Sequence, residues 1–184
     1  MKWLIASDIH GSAFYCEKLT RAFKEEKADK LLLLGDLLYH GPRNDLPKDY
    51  NPKAVIEMLN SLKENILCVR GNCEAEVDQM VLSFPVMADY IAIIENGKIL
   101  YATHGHIYNE DNPLPMAKGD VLLNGHTHVA KCCEHEDFVY INPGSVSIPK
   151  QNSHHGYIIF ENNIFTWKDF DKNEIMKFKL CPIC

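Results

Sequence analysis

The sequence predicts an α/β protein in which two mixed β-sheets pack face to face with helices outside them, a four-layer αββα sandwich. In the first half of the chain, short apolar runs alternate with amphipathic helical patterns, which is typical of parallel strands joined by crossover helices. In the second half, Asn96-Gly97 and Asn162-Asn163 are hairpin signals. The predicted strands are too numerous for one sheet of ordinary size, so two packed sheets are expected.

The first half is expected to contain three strands and two helices. Ser12 is a candidate N-cap of the first helix. Phe14, Leu19 and Phe23 follow it near one helical face. Asn51-Pro52 predicts the start of the second helix, because proline is favoured at the first helical position. The expected strands are 2–7, 30–34 and 66–70, and the expected helices are 13–27 and 52–64.

The second half is expected to be richer in β-hairpins. Asn96-Gly97 predicts a tight turn because both residues tolerate positive φ. The expected strands are 90–94, 99–103, 121–124, 129–134, 138–142, 157–161 and 164–170. A chain of 184 residues is within the usual range for one domain. We therefore expect a single domain over residues 1–172 and a short C-terminal tail over 173–184.

Composition and charge exclude several classes of protein. The net charge is −6, with 25 acidic and 19 scattered basic residues, which argues against a dedicated nucleic-acid binder. No stretch approaches the ~20 apolar residues of a membrane helix, and the first strand runs directly into a polar motif. The seven cysteines form no regular framework. A cytoplasmic protein with reduced thiols and no membrane partner is expected.

Polar motifs follow five of the predicted strands, at the point where each strand ends. These motifs are Asp8-Ile9-His10, Gly35-Asp36, Gly71-Asn72-Cys73-Glu74, Thr103-His104-Gly105-His106 and Gly125-His126-Thr127-His128. In open α/β sheets, ligands collect beyond the carboxyl ends of the strands. The five motifs are therefore expected to converge on one site.

The side chains of these motifs have the chemistry of metal ligands. Histidine, aspartate and asparagine without a required thiolate suit Mn²⁺, Fe²⁺, Ni²⁺ or Zn²⁺ better than Ca²⁺. Two cations ~3.5–4 Å apart repel each other, so they need an anionic bridge, for which Asp36 is the candidate. The seven candidate ligands are too many for one tetrahedral ion and suit two ions: Asp8, His10, Asp36, Asn72, His104, His126 and His128.

In this order the motifs resemble the signature of the calcineurin-like metallophosphoesterase superfamily, which reads D-x-H, G-D, G-N-H-[DE], H and G-H-x-H. The resemblance covers residues 4 to about 149 and includes Asn142-Pro143-Gly144-Ser145 and the loop 38–47, which are similar to the small bacterial phosphodiesterase branch. It implies an αββα sandwich that hydrolyses small phosphate diesters by attack of a metal-bridging hydroxide. Mn²⁺ is the first expectation for the two divalent ions, with Ni²⁺, Fe²⁺, Zn²⁺ or Mg²⁺ as alternatives.

The resemblance also implies individual roles. It assigns Asp8, His10, Asp36 and His128 to the first metal. It assigns Asp36, Asn72, His104 and His126 to the second metal.

The candidate catalytic residues are Asn72, which can ligate and orient, and Cys73. Cys73 stands where the wider superfamily has histidine, and a thiol of pKa near ~8.5 can donate a proton to the leaving oxygen. The candidate substrate-binding residues are Arg43, whose guanidinium can clamp a phosphate oxygen, and His40.

Three functions remain open at this point. The first is hydrolysis of small phosphodiesters. The second is a Vps29-like protein-interaction scaffold with a vestigial metal site, against which the full ligand set argues. The third is a nuclease or cyclic-nucleotide phosphodiesterase, but a groove that binds single strands needs interleaved basic and aromatic residues that the motifs lack. A homo-oligomer is possible, and the natural substrate is not specified.

Other polar residues carry weaker predictions. His106 is either a partner of a metal ligand or a solvent-facing side chain. His135 and His154-His155 are expected to be solvated loop histidines. Cys132-Cys133 is expected to point one thiol inward and one outward. Cys181-Pro182-Ile183-Cys184 has the spacing of half a zinc knuckle, but no second cysteine pair of suitable spacing accompanies it, so a tail is expected. A structural metal shared with Cys132-Cys133 is left open.

Overall fold

The computed structural model describes residues 1–180, which form two mixed β-sheets with helices. The helices are α1 (Ala13–Glu25), α2 (Pro52–Asn60) and α3 (Glu76–Val81). The strands are β1 (Trp3–Ala6), β2 (Lys30–Leu33), β3 (Ile66–Cys68), β4 (Ile91–Glu95), β5 (Lys98–Ala102), β6 (Asp120–Leu123), β7 (Ala130–Glu134), β8 (Phe138–Pro143), β9 (Gly156–Glu161), β10 (Ile164–Asp169) and β11 (Glu174–Lys179).

One sheet has six strands in the order β11-β10-β9-β1-β2-β3, and the other has five in the order β4-β5-β6-β8-β7. In the first sheet β1, β2 and β3 are parallel neighbours. In the second sheet β5, β6 and β8 are parallel neighbours. The predicted pair of mixed sheets is confirmed, and the carboxyl ends of these parallel strands lead into the polar motifs.

The alternation of side chains along β1 shows how the layers are held together. Ile5 packs into the core between the sheets, together with residues such as Val121 of β6. Leu4 points the other way, into a core with Leu19 and Phe23 of α1. Full burial of one such side chain stabilises the fold by about 1.5–3 kcal/mol, so each face of β1 anchors one layer.

Both predicted helix starts are confirmed. The Ser12 hydroxyl oxygen accepts a hydrogen bond from the Tyr15 N–H at 3.3 Å, and the Asn51 side-chain oxygen accepts one from the Ala54 N–H at 3.3 Å. The helix α2 ends at Asn60, four residues before the predicted end, and the chain continues through turns to β3. Within residues 1–180, no helix has the length and hydropathy needed to span a bilayer.

The predicted boundary of the C-terminal tail is corrected by the structure. Residues 174–179 form β11, which pairs antiparallel with β10. Met176 and Phe178 pack on the core between the sheets, and Leu180 is buried there, so this segment belongs to the domain. The predicted roles of Cys181 and Cys184 lie outside the described residues.

Candidate metal centre

The structure brings all seven candidate ligands together at one edge of the sandwich. They follow β1, β2, β3, β5 and β6, as the motifs predicted. Asn72 is exposed and His126 is half-buried. The five that are buried are Asp8, His10, Asp36, His104 and His128.

A left-handed backbone conformation is frequent in the same ligand set. Five of the seven have a left-handed backbone, with φ of 60° at Asp8, 49° at His10, 56° at Asp36, 63° at His126 and 62° at His128. Such a conformation in a non-glycine residue costs on the order of 1–3 kcal/mol and persists where the surroundings impose it, often at functional sites. The left-handed backbone turns these side chains into the site directly after each strand.

The first group of ligand atoms consists of Asp8, His10 and His128. The Asp8 Oδ1 lies 3.5 Å from the His10 Nε2 and 3.3 Å from the His128 Nε2, and the two Nε2 atoms are 3.1 Å apart. His10 donates its Nδ1–H to the Tyr39 carbonyl, and His128 donates its own to the Ile148 carbonyl, both at 2.7 Å. When both rings are neutral, each therefore directs an Nε2 lone pair at the other. Two facing lone pairs repel unless a cation lies between them.

The second group is built the same way around His104. Its Nδ1–H donates to the Leu34 carbonyl at 2.6 Å, so when the ring is neutral its Nε2 is left as an acceptor. The Nε2 lies 3.1 Å from the Asn72 side-chain oxygen and 3.2 Å from the His126 Nδ1. Such a convergence of electron-pair donors suits a divalent cation, and the carbonyl partner fixes the ring as in known metal sites.

Asp36 lies between the two groups. Its Oδ2 is 3.7 Å from the His10 Nε2 and 3.5 Å from the His104 Nε2. Its Oδ1 accepts the Cys73 N–H at 2.9 Å, which fixes the rotation of the carboxylate. A single oxygen therefore faces both groups, which is the arrangement that a bridging ligand needs.

The donor set fits two divalent cations of intermediate hardness. The Asp8 Oδ1 is buried without a hydrogen-bond partner among the described residues, and such a carboxylate oxygen is costly to leave unpaired. Both groups combine carboxylate oxygen with imidazole nitrogen. The residues present therefore fit the metals that the sequence motifs imply.

The ionisable groups of the site lie close together and shift one another's pKa values. Burial lowers the pKa of His104, but its hydrogen bond to Asp36 and the charge of Asp8 raise that pKa to about 9. Burial raises the pKa of Asp8, but the neighbouring imidazoles hold it well below its ordinary value. Burial and the charge of His104 lower the pKa of His126. In the metal-free chain, the extra proton on His104 thus supplies part of the positive charge that a bound cation would place beside Asp8 and Asp36.

Glu74 supports the site, although the sequence analysis gave it no role beyond its motif. Its Oε2 accepts the N–H groups of Asp36 at 2.8 Å and Gly71 at 2.5 Å, and its Oε1 accepts the Leu37 N–H at 2.7 Å. Burial and the charge of Asp36 raise the pKa of Glu74 to about 7. A Cβ at Gly71 would lie 2.5 Å from the Asp36 nitrogen, so only glycine fits beside this carboxylate.

A cleft of about 500 Å³ opens over the ligand atoms. Arg43, the candidate substrate-binding residue, is among the residues that line it. His40 is not among the lining residues, and its ring packs edge-on against Tyr39 and Tyr50. The lining residues are Asp36, Gly41, Pro42, Arg43, Asn44, Asn72, Cys73, His126, Thr127, His128 and Lys150. The sequence assigned no role to Asn44, Thr127 or Lys150, which loops bring to the cleft.

Cys73 is half-buried at the floor of this cleft. The Asn72 side-chain N–H donates to its Sγ at 3.3 Å. Burial and the charge of Asp36 raise the pKa of the thiol above its ordinary value. The sulfur also lies within 4.8 Å of ligand atoms of His10 and Asp36. The thiol is therefore protonated at neutral pH in the metal-free chain and adjacent to the candidate metal ligands.

The remaining histidines occupy different environments. The His106 ring contacts that of His104 at 5.4 Å between centroids. His155 is not a solvated loop residue: it stacks on Tyr15 at 4.1 Å, and its Nδ1–H donates to the Val146 carbonyl at 3.0 Å. The position of this ring at the end of the loop was not visible in the sequence.

Comparison with known proteins relates this geometry to a family. The calcineurin-like phosphoesterase superfamily domain matches residues 1–163. The chain is 41% identical to phosphodiesterase YfcE of Escherichia coli strain K12 over 166 residues, which is 90% of each protein. A solved structure of YfcE, described as a phosphoesterase from E. coli, superposes with a TM-score of 0.95 at 38% identity, covering 98% of this chain and all of that one. Vps29 of Cryptosporidium parvum shares the fold, with a TM-score of 0.60, 17% identity and 97% coverage of both chains.

Proposed function

Because the chain belongs to the calcineurin-like phosphoesterase superfamily, we propose that it hydrolyses small phosphate diesters at a centre of two divalent cations. The chain is a phosphodiesterase-type hydrolase of this family, as its similarity to YfcE indicates. The observation that carries the two-cation proposal is the Asp36 Oδ2, which lies 3.5 Å from the His104 Nε2 and 3.7 Å from the His10 Nε2. A single anionic oxygen placed between two sets of lone pairs is what two closely spaced cations require.

We assign Asp8, His10 and His128 to one cation and Asn72, His104 and His126 to the other, with Asp36 shared. Mn²⁺ is the proposed occupant, because the set has imidazole, amide and carboxylate donors and no required thiolate. When bound, two such cations acidify a water to provide a nucleophile near neutral pH and neutralise charge on the phosphate. The seven candidate ligands are Asp8, His10, Asp36, Asn72, His104, His126 and His128.

The residues at the rim and floor of the cleft have separate proposed roles. Arg43 lines the cleft and can bind two phosphate oxygens through its planar guanidinium, while Lys150 provides a second positive charge there. Asn72 combines ligation with a hydrogen bond to the Cys73 sulfur, which orients the thiol. The protonated Cys73 thiol is the proposed donor of a proton to the leaving alkoxide. His40 is left without a proposed substrate contact, since its ring packs on Tyr39 and Tyr50.

Turnover of model esters tests this function. Metal-stripped protein is assayed on a bis-aryl phosphodiester and on a mono-aryl phosphate, with and without Mn²⁺. We expect Mn²⁺ to restore diester hydrolysis, Asp36→Asn to abolish it, and the exposed-site control Asp45→Asn to retain it. Absence of turnover with every divalent cation, in folded protein, would contradict the proposed function.

A protein-interaction scaffold is the second candidate function, because the fold is shared with Vps29. The likeness to Vps29 at 17% identity concerns the fold alone. The complete donor set favours the enzyme, as does the buried Asp8 Oδ1, which has no hydrogen-bond partner within residues 1–180. A cytoplasmic location and a homo-oligomeric state stay predictions.

A further inference from the structure

A second cluster of potential metal ligands lies away from the cleft, on the outer face of the five-stranded sheet. Side chains alternate along β7, so Lys131, Cys133 and His135 share one face of the strand and the hairpin that follows. Cys132 takes the opposite face and packs into the core between the sheets, whereas Cys133 packs beside Tyr140 on the outside. The two adjacent thiols therefore have different environments, as the sequence predicted.

A carboxylate from a separate loop completes this cluster. The connection between β5 and β6 contains a tight turn, in which the Asn109 side-chain oxygen accepts the N–H groups of Asp111 and Asn112, both at 3.0 Å. This turn holds Glu110 over β7, where its Oε1 lies 3.0 Å from the His135 Nε2. The His135 ring is itself fixed by stacking on Phe138, with 4.5 Å between the ring centroids.

The three side chains have compatible chemistry and spacing for a transition metal. The Cys133 Sγ and ligand atoms of Glu110 and His135 all lie within 4.8 Å of one another. In a tetrahedral site with bonds of about 2.0–2.3 Å, ligand atoms are roughly 3.3–3.8 Å apart. Small side-chain rotations would therefore bring the three ligand atoms to the separations that a bound metal requires. Thiolate and imidazole together favour Zn²⁺ or Co²⁺ over Mn²⁺.

We propose that Glu110, Cys133 and His135 bind one Zn²⁺-class cation, with water as the fourth ligand. The Lys131 ammonium lies 2.6 and 2.8 Å from the Glu110 carboxylate oxygens and is the cation that the metal displaces. Metal binding also deprotonates the Cys133 thiol and releases that proton to solvent. The bound ion would tie the loop that follows His104 to β7, the strand that follows His126 and His128.

Cobalt spectroscopy tests the site without reference to catalysis. Full-length protein carrying Cys181→Ala and Cys184→Ala, so that these thiols cannot contribute, is stripped of metal under reducing conditions and titrated with Co²⁺. Thiolate-to-cobalt charge-transfer absorption and bound Co²⁺ per chain are measured. Cys133→Ala and His135→Gln are compared with Cys132→Ala, which removes the neighbouring thiol on the other face.

The expected result is the loss of one bound Co²⁺ per chain, together with its charge-transfer band, in Cys133→Ala and His135→Gln. Cys132→Ala is expected to keep both. Lys131→Met removes the ammonium that competes with the ion for the Glu110 carboxylate and is expected to tighten binding by about tenfold at low salt. Equal Co²⁺ uptake and absorption in Cys133→Ala and Cys132→Ala would overturn the proposal. Cobalt binding in the cleft, common to all these variants, does not affect the comparison.

Discussion

Protonation of His104 is expected to oppose metal binding at neutral pH. The hydrogen bond to Asp36 and the nearby carboxylates raise its pKa to about 9, so about 1% of the rings are neutral at pH 7. Only the neutral ring offers its Nε2 to a cation, because the Nδ1–H is held by the Leu34 carbonyl. Binding of the second cation is therefore expected to tighten about tenfold per pH unit between about pH 7 and 8, with release of about one proton.

Calorimetry of metal-stripped protein with Mn²⁺, in buffers of different ionisation enthalpy, measures both the affinity and the proton release. ¹⁵N chemical shifts of the same metal-free protein give the titration of the ring directly. A His104 that titrates near its ordinary pKa of 6.5, or an Mn²⁺ affinity that does not change with pH, would refute this reasoning.

The same shift predicts how the stability of the metal-free chain depends on pH. Since the pKa in the folded state exceeds the ordinary value of 6.5, the contribution of this proton is complete below about pH 6.5 and is lost as the pH rises through about 9. The contribution is about 3 kcal/mol for this buried ring. Denaturant unfolding of metal-free protein between these pH values is expected to show that loss.

Three further substitutions test the supporting residues. Glu74→Gln places an NH₂ group against backbone N–H donors and is expected to destabilise the fold by about 1–3 kcal/mol in denaturant unfolding, whereas Glu76→Gln at an exposed position is expected to change little. Gly71→Ala introduces a Cβ 2.5 Å from the Asp36 nitrogen and is expected to weaken Mn²⁺ binding in calorimetry; unchanged affinity would show that the backbone relaxes freely. Cys73→Ser is expected to slow hydrolysis of alkyl esters by about 10²–10⁴-fold but that of nitrophenyl esters far less, and equal effects on both would exclude a proton-donating role.

The sequence was informative about the site because its ligands follow apolar strands. The position of Asp8 after β1 and of Asp36 after β2 could be predicted from the rule that parallel strands end at the same edge of a sheet. The left-handed backbone of these residues could not be predicted, since it is imposed by tertiary contacts rather than by local preference. The sequence therefore indicated the ligands but not how the chain turns them inward.

The features that could not be predicted from the sequence depend on the course of loops and on the edges of the sheets. Lys150 reaches the cleft through a connection whose course depends on packing. The His40 ring packs on Tyr39 and Tyr50 and does not line the cleft. The edge strand β11 has a weak pattern, because the consecutive residues Glu174 and Ile175 are both exposed. Helix α3 has only six residues, too few for a clear helical period.

Electron paramagnetic resonance of Mn²⁺-loaded protein, combined with diester turnover on the same samples, is the most direct test of the two-cation centre. We expect an exchange-coupled Mn²⁺ pair in active protein, and loss of both the coupling and the turnover in Asp36→Asn, with Asp45→Asn unchanged. Full turnover with only isolated Mn²⁺ signals, or a coupled and active Asp36→Asn protein, would contradict it.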